Sequence, residues 1–176
     1  KACDPISAYG GAKAFSEHLW IQSNNYGSCR FNALRYGNVA GSKGSVHAAW
    51  EKQRGQRLKV TSAEMTRFFW SIEEASDFCL RFIDTPERGV IFIHKMKSRK
   101  IIDVAMDFSD DIEITGIRCA EKIHERLISE TDIRSGAARD CGDHWRIYPI
   151  NHAWQAEMQR EGLHVDPDWK VTSDTN

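Results

Sequence analysis

The fold is decided by residues 30–39, which read RFNALRYGNV. Aliphatic and aromatic side chains fill the first part of this segment, and Gly37 interrupts it shortly before a polar loop begins. A short apolar run that ends in such a loop is typical of a buried parallel strand, because the carboxyl ends of parallel strands open into loops. We therefore expect this segment to be one strand of a parallel sheet.

The segments on either side of it alternate between helical and extended patterns. Helices are predicted over residues 9–26, 46–54, 72–83, 101–106 and 121–128. Short strands are predicted over residues 58–61, 89–93 and 112–115, and the basic patch at 95–100 is interpreted as a solvated connection. Strands that alternate with helices predict an α/β fold with a largely parallel sheet. After Pro149 the pattern decays, so an irregular tail is expected over residues 150–176.

The composition indicates a globular domain or a piece of a larger one. The chain has 176 residues, of which 41% are hydrophobic and 28% charged. Its net charge is −1, so no broad positive field attracts nucleic acid or an anionic membrane surface. No apolar run reaches the roughly 18 residues of a membrane span. We therefore expect neither a nucleic-acid partner nor a membrane span.

The cysteine pattern and the first residue of the sequence bear on the compartment of the protein and on whether the chain is a fragment. Its five cysteines are dispersed and form no C-x-x-C pair, which argues against a disulfide framework and a zinc site. A reducing, cytoplasmic compartment is the simpler interpretation. The sequence opens at Lys1 rather than Met, and its first residues read like the inside of a structured unit. The chain is therefore expected to be a fragment.

Tyr9 and Lys13 are the first candidates for chemistry. They lie four residues apart at the start of the first predicted helix, so both side chains share one face. An ammonium close to a phenol stabilises the phenolate, which makes tyrosine a workable proton donor and acceptor. The spacing alone is also compatible with an ordinary surface tyrosine and lysine.

The sequence around Tyr9 and Lys13, together with several later blocks, resembles that of a known family. The resemblance rests on ordered blocks at residues 1–13 (KACDPISAYGGAK), 35–39 (RYGNV), 41–46 (GSKGSV), 65–68 (MTRF), 116–125 (GIRCAEKIHE) and 172–176 (TSDTN). Together they resemble the second half of an extended short-chain dehydrogenase/reductase, and in particular the inverting UDP-N-acetylglucosamine 4,6-dehydratases of polysaccharide biosynthesis. One departure is Cys119-Ala120, where the family usually has Pro-Gly.

The resemblance implies a fold and a cofactor. Residues 1–149 would be the carboxyl-terminal half of such an enzyme, with a partial Rossmann-like parallel sheet and a smaller α/β substrate-binding region. The cofactor would be NADP, with NAD possible. No G-x-G-x-x-G turn occurs in this sequence, so the Gly-rich cofactor half is missing and the chain alone is not expected to bind NADP. The parent enzyme is expected to be a homo-oligomer.

The resemblance also implies catalytic and cofactor residues. Tyr9 and Lys13 would hold the ribose and nicotinamide, and Tyr9 would help hydride leave C4 of the sugar; Tyr36 and Gly37 would also contact the cofactor. Lys1 matches the family's base for the C5 proton, but the Thr and Asp that precede that lysine are absent here. After loss of water across C5 and C6, hydride returns at C6 with inversion at C5. Elimination by this chain alone is not expected.

Six residues are implied to bind the UDP-sugar substrate: Asn38, Ser45, Val46, Arg67, Arg118 and Glu121. Arginine suits the diphosphate, because its planar guanidinium matches phosphate oxygens and keeps its charge. Glu121 would accept hydrogen bonds from the ribose or uracil side. The single Glu121-x-x-His124 pattern lacks the second pair that a carboxylate-bridged metal site needs, so no metal is expected.

Three functions stay open at this point. The first is part of an NADP-dependent lyase, a UDP-N-acetylglucosamine 4,6-dehydratase. The second is a nucleotide-sugar 4-epimerase of the same superfamily, in which oxidation and reduction both occur at C4. The third is a UDP-sugar-binding or interaction module without catalysis of its own.

Overall fold

The computed structural model describes residues 1–135, 137–148, 163–164 and 172–174. The chain divides into two compact units. The first unit comprises Lys1–Tyr36, Cys79–Lys95 and Arg126–Val171, and the second comprises Gly37–Phe78, Met96–Glu125 and Thr172–Asn176. Most of the tail predicted over residues 150–176 lies outside the described residues.

Helices and short strands alternate along the described chain. The α-helices are α1 (Ala8–Gln22), α2 (Val46–Glu51), α3 (Ile72–Arg81), α4 (Ile101–Met106) and α5 (Glu130–Arg134). The strands are β1 (Ala33–Arg35), β2 (Asn38–Val39), β3 (Leu58–Val60), β4 (Thr66–Trp70), β5 (Ile91–His94), β6 (Lys97–Lys100), β7 (Ile112–Ile114), β8 (Ala138–Asp140), β9 (His144–Ile147) and β10 (Leu163–His164). A short 3-10 turn, Ser23–Asn25, follows α1. The predicted α/β class is confirmed, but the expectation of a largely parallel sheet is wrong: among the described residues three strand pairs are parallel and four are antiparallel.

The first unit contains a five-stranded mixed sheet in the order β1-β5-β9-β8-β10. Strand β1 runs parallel to β5, with Ala33 opposite Ile91, and the other pairs are antiparallel. The centre of β5 is fully apolar and inaccessible, because Phe92 and Ile93 are both 0% exposed. Burial of such side chains is the main favourable contribution to the stability of this sheet.

The second unit contains two smaller sheets. One has the order β2-β4-β6, and the other pairs β3 with β7 in parallel. Strand β4 lies parallel to β2 and antiparallel to β6. Its core is an apolar cluster of Trp50, Leu58, Val60, Met65, Ile101, Val104 and Ala105. This cluster joins α2, β3 and α4 beneath the loops that form the candidate site.

The structure corrects the prediction of one strand over residues 30–39. Two strands occupy that segment: β1 belongs to the five-stranded sheet, whereas β2 belongs to the three-stranded sheet. The break falls at Tyr36 and Gly37, which lie in neither strand. A Cβ on Gly37 would lie 2.6 Å from the Cβ of Phe68, so the chain changes sheets at a position where only glycine fits without movement.

The helix predicted over residues 121–128 is wrong. Backbone groups there are bonded to distant partners instead of to each other: Thr66 N donates to the Ile123 carbonyl at 3.0 Å, and Ser173 N donates to the Glu125 carbonyl at 2.8 Å. The nearest helix is α5, which begins after Ser129 with a capping box completed by Asp132. Tertiary contacts therefore override helix propensity in this segment.

Two strands of the second unit were not predicted. Strand β4 carries Arg67 at its second position, where the charge interrupts the apolar pattern of the segment. Strand β6 lies within the basic patch that was interpreted as a solvated connection, and it pairs with β4 over its whole length. In the part of the chain that the structure describes, no helix has the length and apolar character needed to cross a membrane.

Candidate functional site

A cavity of about 420 Å³ lies within the second unit. Its walls include all six residues that the family resemblance implied for substrate: Asn38, Ser45, Val46, Arg67, Arg118 and Glu121. They come from segments that are far apart along the chain, so the fold brings the six together. This volume lies within the range of small-molecule sites in proteins.

One wall of the cavity is the loop between β2 and α2. Asn38 begins β2 and is paired in register with Phe69 of β4. Ser45 is the N-cap of α2, because its hydroxyl accepts a hydrogen bond of 3.2 Å from Ala48 N. Val46, the first residue of α2, packs against the apolar cluster of the second unit. Ser45 and Val46 thus shape the wall and also hold the helix in place.

The charge of the cavity wall is predominantly positive. Lys43 and Lys59 line it together with Arg67 and Arg118, whereas Glu121 is the single carboxylate among the lining residues. Sequence reasoning missed both lysines as site residues. Lys43 lies within the GSKGSV block, which was a usable signal, but Lys59 comes from β3, where nothing in the pattern marked it. Four cations around one cavity favour an anionic ligand.

Arg67 is largely committed to the protein itself. Its Nη1 donates to the carbonyls of Thr66 at 2.7 Å and Ile123 at 2.9 Å, and its Nη2 donates to the carbonyl of Lys122 at 2.8 Å. Its Nε lies 3.4 Å from the Glu125 carboxylate. Burial lowers the pKa of Arg67, and the charge of Glu125 opposes this change. Arg67 therefore holds residues 122–125 against β4 and leaves few donors for a ligand.

Arg118, unlike Arg67, keeps its guanidinium available to a ligand, and the neighbouring Glu121 is held in place. The Arg118 guanidinium has no side-chain partner among the described residues and is exposed. Its backbone N–H donates to one oxygen of the Glu121 carboxylate at 3.2 Å, and Thr61 donates to the other at 3.3 Å. The carboxylate is therefore fixed, whereas the guanidinium of Arg118 is available to a ligand.

His47 is a further lining residue that the sequence did not indicate. Its ring lies 5.1 Å from the Phe69 ring and 5.8 Å from the Phe108 ring, measured between centroids. Burial, followed by the charge of Arg99, lowers the pKa of His47 below its ordinary value. The neutral imidazole therefore completes an aromatic side of an otherwise cationic cavity.

Tyr9 and Lys13 lie in the first unit, in the first turns of α1. The Ser7 hydroxyl caps the helix by accepting a hydrogen bond of 3.1 Å from Gly10 N. The Lys13 Nζ lies 5.6 Å from the centre of the Tyr9 ring, and the tyrosine is 60% exposed. The predicted placement on one helix face is thus observed, with the phenol presented to solvent.

The remaining candidates do not line the cavity. Lys1 lies beside the start of α1, because a Cβ on Gly10 would come within 3.0 Å of the Lys1 carbonyl oxygen. Tyr36 is 48% exposed in the first unit, and Gly37 begins the second unit. Among the described residues, no three His, Cys, Asp or Glu side chains are grouped so that they could hold a metal ion.

Comparison with known proteins gives a family match over residues 1–147, and that family is described as "Polysaccharide biosynthesis protein". The UDP-N-acetylglucosamine 4,6-dehydratase (inverting) of Campylobacter jejuni is 39% identical over 140 residues, which is 75% of this chain and 42% of that protein. The UDP-glucose 4-epimerase of Rickettsia canadensis is 33% identical over 158 residues, which is 84% of this chain and 46% of that protein. The chain thus spans less than half the length of these relatives.

A solved structure matches the fold. The X-ray structure of Pen from Bacillus thuringiensis superposes with a TM-score of 0.80 at 24% sequence identity, covering 99% of this chain and 54% of that chain. At this identity the match concerns the fold alone.

Proposed function

Since this chain belongs to the polysaccharide biosynthesis protein family, we propose that it is the carboxyl-terminal part of an NADP-dependent nucleotide-sugar 4,6-dehydratase. The proposed substrate is UDP-N-acetylglucosamine, and the product is a 4-keto-6-deoxy sugar nucleotide used in surface polysaccharide or glycan synthesis. The relative from Campylobacter jejuni supports this choice.

One observation carries the proposal: six residues from separate segments meet in one cavity whose wall holds four cations and one carboxylate. A nucleotide sugar carries its negative charge on a diphosphate. Guanidinium and ammonium groups bind such oxygens by charge-assisted hydrogen bonds. Arg118 and Lys59 supply these donors in our proposal, while Glu121 accepts hydrogen bonds from hydroxyl groups of the ligand.

Tyr9 and Lys13 are the proposed groups for proton movement at the C4 hydroxyl. The phenol takes the proton of that hydroxyl as hydride leaves C4, and the nearby ammonium stabilises the phenolate that forms. In our proposal these two side chains contact the ribose and nicotinamide of NADP, and their position on one exposed face of α1 supports this role. When bound, NADP accepts and returns the hydride. Its pyrophosphate needs a Gly-rich turn that this sequence does not contain, so a complete NADP site requires residues outside this chain.

Lys1 is the proposed base for the C5 proton in the parent enzyme. We assign substrate binding to the 176 residues, because the Gly-rich turn that a complete NADP site needs does not occur in them.

The test is a calorimetric titration of the folded chain with UDP-N-acetylglucosamine. Saturable binding is expected, and Arg118→Ala should weaken it by about tenfold to hundredfold, because a charge-assisted hydrogen bond is lost. Arg57→Ala is the matched control, since Arg57 is an exposed arginine of the same unit, pairs with Asp111 and does not line the cavity. Equal effects of the two substitutions would contradict the assignment of the cavity.

Lys59→Ala tests the second cation in the same titration. It should weaken binding less than Arg118→Ala does, because an ammonium offers a point charge where guanidinium offers a bidentate fork. Arg67→Ala is expected to act differently, by lowering the thermal midpoint of the chain, since its guanidinium holds three backbone carbonyls. Loss of binding without loss of stability in Arg67→Ala would instead favour direct contact with the ligand.

A nucleotide-sugar 4-epimerase is the second candidate, and the relative from Rickettsia canadensis supports it. Both reactions begin with removal of hydride from C4, so Tyr9 and Lys13 serve either one. The complete reading frame distinguishes them: a 4-keto-6-deoxy product supports the dehydratase, whereas a C4 epimer formed without loss of water supports the epimerase. Binding of UDP-sugar by a complete protein that transforms nothing would support the non-catalytic module.

The proposal extends to compartment and assembly. The five cysteines are dispersed along the sequence and form no C-x-x-C pair, which supports a reducing, cytoplasmic setting. The parent enzyme is proposed to be a homo-oligomer. Light scattering of the complete protein tests the assembly, and a monomer at micromolar concentration would contradict it.

A further inference from the structure

We propose that Ser173 is a positioning residue for the ligand-facing wall of the cavity, acting by tying the loop of residues 118–125 to β4. We call residues 118–125 the wall loop. Ser173 makes its hydrogen bonds with Thr66 and Glu125, neither of which lines the cavity. The functional half of the proposal rests on the proposed nucleotide-sugar site.

The Ser173 hydroxyl is the centre of a buried hydrogen-bond group. The residue is only 1% exposed. Its oxygen lies 2.6 Å from the Thr66 hydroxyl and 3.1 Å from the Thr66 carbonyl, and it accepts a hydrogen bond of 2.8 Å from Glu125 N. The Ser173 backbone N–H donates to the Glu125 carbonyl at 2.8 Å. Both backbone groups of Glu125 are thus satisfied by a single residue near the carboxyl terminus.

Thr66 and Arg67, both in β4, extend this hydrogen-bond group to the rest of the wall loop. The Thr66 hydroxyl shares a hydrogen bond of 2.8 Å with His124 Nδ1, and Thr66 N donates to the Ile123 carbonyl. Arg67 next to it holds the Ile123 and Lys122 carbonyls and faces the Glu125 carboxylate. Every residue from 122 to 125 is therefore fixed by β4, by Ser173 or by both.

This fixation matters because the wall loop forms neither a helix nor part of the strand ladders that hold the rest of the unit. Arg118 and Glu121, which line the cavity, lie at the other end of the loop. Thr61 holds the near end through the Glu121 carboxylate, whereas β4 and Ser173 hold the far end. We expect that releasing the far end leaves the near end with this single attachment to β3 and its neighbours, and so loosens the side chains that face the cavity. Removing the Ser173 hydroxyl leaves a buried N–H of Glu125 without its acceptor, which is costly.

The experiment compares Ser173→Ala with the unaltered chain by hydrogen exchange and by titration with UDP-N-acetylglucosamine. Amides of the wall loop should exchange about tenfold faster in Ser173→Ala, while amides of β3 and α4 keep their rates. Ligand affinity should fall about tenfold, and the thermal midpoint should fall by about 2–8 °C, because a buried N–H loses its acceptor. Ser173→Thr, which keeps the hydroxyl, should restore both, an outcome that a purely bulk effect on packing would not give.

Ser76→Ala is the matched control, because Ser76 is an exposed serine whose hydroxyl donates to the Ile72 carbonyl within α3. It should change neither readout. If Ser173→Ala does not fold, Thr66→Val provides the second variant, since it removes the hydroxyl that joins Ser173 to His124 at nearly constant shape. Faster exchange confined to the wall loop in Thr66→Val supports the proposal.

Two results would overturn it. Unchanged exchange of the wall loop in Ser173→Ala means that the hydroxyl does not hold the loop. Faster exchange with unchanged affinity means that the loop does not position the ligand-facing groups. If the unaltered chain binds no UDP-N-acetylglucosamine, the proposed function of this chain fails, and the exchange rates by themselves then support or overturn the holding role of Ser173.

Discussion

Glu17 and Arg35 form a bidentate ion pair inside the first unit, with Nε and Nη2 of the arginine 2.8 and 2.7 Å from the two carboxylate oxygens. The side chains are only 9% and 12% exposed, respectively. Asp132 approaches the same guanidinium at 3.1 Å. Burial lowers the pKa of Arg35, but the hydrogen bond and charge of Glu17 outweigh it and raise the pKa above its ordinary value. The pair joins α1, which carries Tyr9 and Lys13, to β1.

Glu17→Ala should therefore lower the free energy of unfolding by about 3 kcal/mol, because it leaves a buried guanidinium short of a partner. Urea unfolding followed by circular dichroism measures this loss. Asp111→Ala, which removes the exposed pair with Arg57, should change it by less than about 1 kcal/mol. Equal losses from the two substitutions would contradict the structural role of the buried pair.

Gly37→Ala should destabilise the second unit by about 1–3 kcal/mol, the usual cost of overpacking. The new Cβ would lie 2.6 Å from the Phe68 Cβ and 2.7 Å from its carbonyl oxygen, so the backbone of β4 must shift. Gly11→Ala is the control: no atom lies within 4 Å of a Cβ there, and alanine in a helix is favoured over glycine by roughly 0.5–1 kcal/mol. Thermal unfolding should thus move in opposite directions for the two changes.

Ala120→Gly should stabilise the chain by up to about 1 kcal/mol. Ala120 lies in the wall loop and has a φ of 60°, in the left-handed region that favours glycine. The same change at Ala12, inside α1, should instead cost about 1 kcal/mol of helix stability. A loss of stability in Ala120→Gly, measured by urea unfolding, would argue against the backbone strain.

The stability of the chain should fall as the pH drops below about 6.5, the ordinary pKa of histidine. His144 is 2% exposed, and its burial lowers its pKa despite the hydrogen bond to Asp143; Arg146 and Arg81 act in the same direction as burial. Near pH 6, His144 therefore binds a proton in the unfolded chain but not in the folded chain, so lowering the pH favours unfolding. His47 contributes in the same sense.

His144→Gln should reduce this pH dependence. Its unfolding free energy, determined in urea at pH 7.5 and pH 5.5, should differ less between the two pH values than that of the unaltered chain. Its absolute stability should be lower at both, since the hydrogen bonds with Asp143 and Arg146 are lost. An unchanged difference between the two pH values would show that His144 does not titrate in this window.

Local patterns predicted the elements whose contacts are local. The spacing of Tyr9 and Lys13 placed them on one helix face, and the run at residues 89–93 was predicted to be a buried strand, which the structure places at Ile91–His94. Strand β4 was not predicted, because a charge at the second position of TRFFW interrupts the apolar pattern. The structure satisfies this guanidinium with carbonyls of a distant loop. The antiparallel pair β8 and β9 was missed for a similar reason, since Arg139 and Arg146 face each other within it.

The six cavity residues were found through their order in the family blocks and not through spacing. Asn38 and Glu121 are far apart in the chain, and no periodicity relates them. Lys59 shows the limit of that approach, because it lies outside every recognised block and still lines the cavity. The failure of the predicted helix over residues 121–128 has the same origin: partners on β4 and at Ser173 are invisible to a reading of neighbouring residues.

Strand β6 ends the three-stranded sheet, and its sequence is KSRK. The last strand of a sheet is a template on which another chain can add, unless charge makes such addition unfavourable. Lys97, Arg99 and Lys100 would meet the same three charges on any second copy that approached in register, so repulsion opposes growth of the sheet from this side. The positive charges of β6 therefore oppose edge-to-edge aggregation of the chain at this strand.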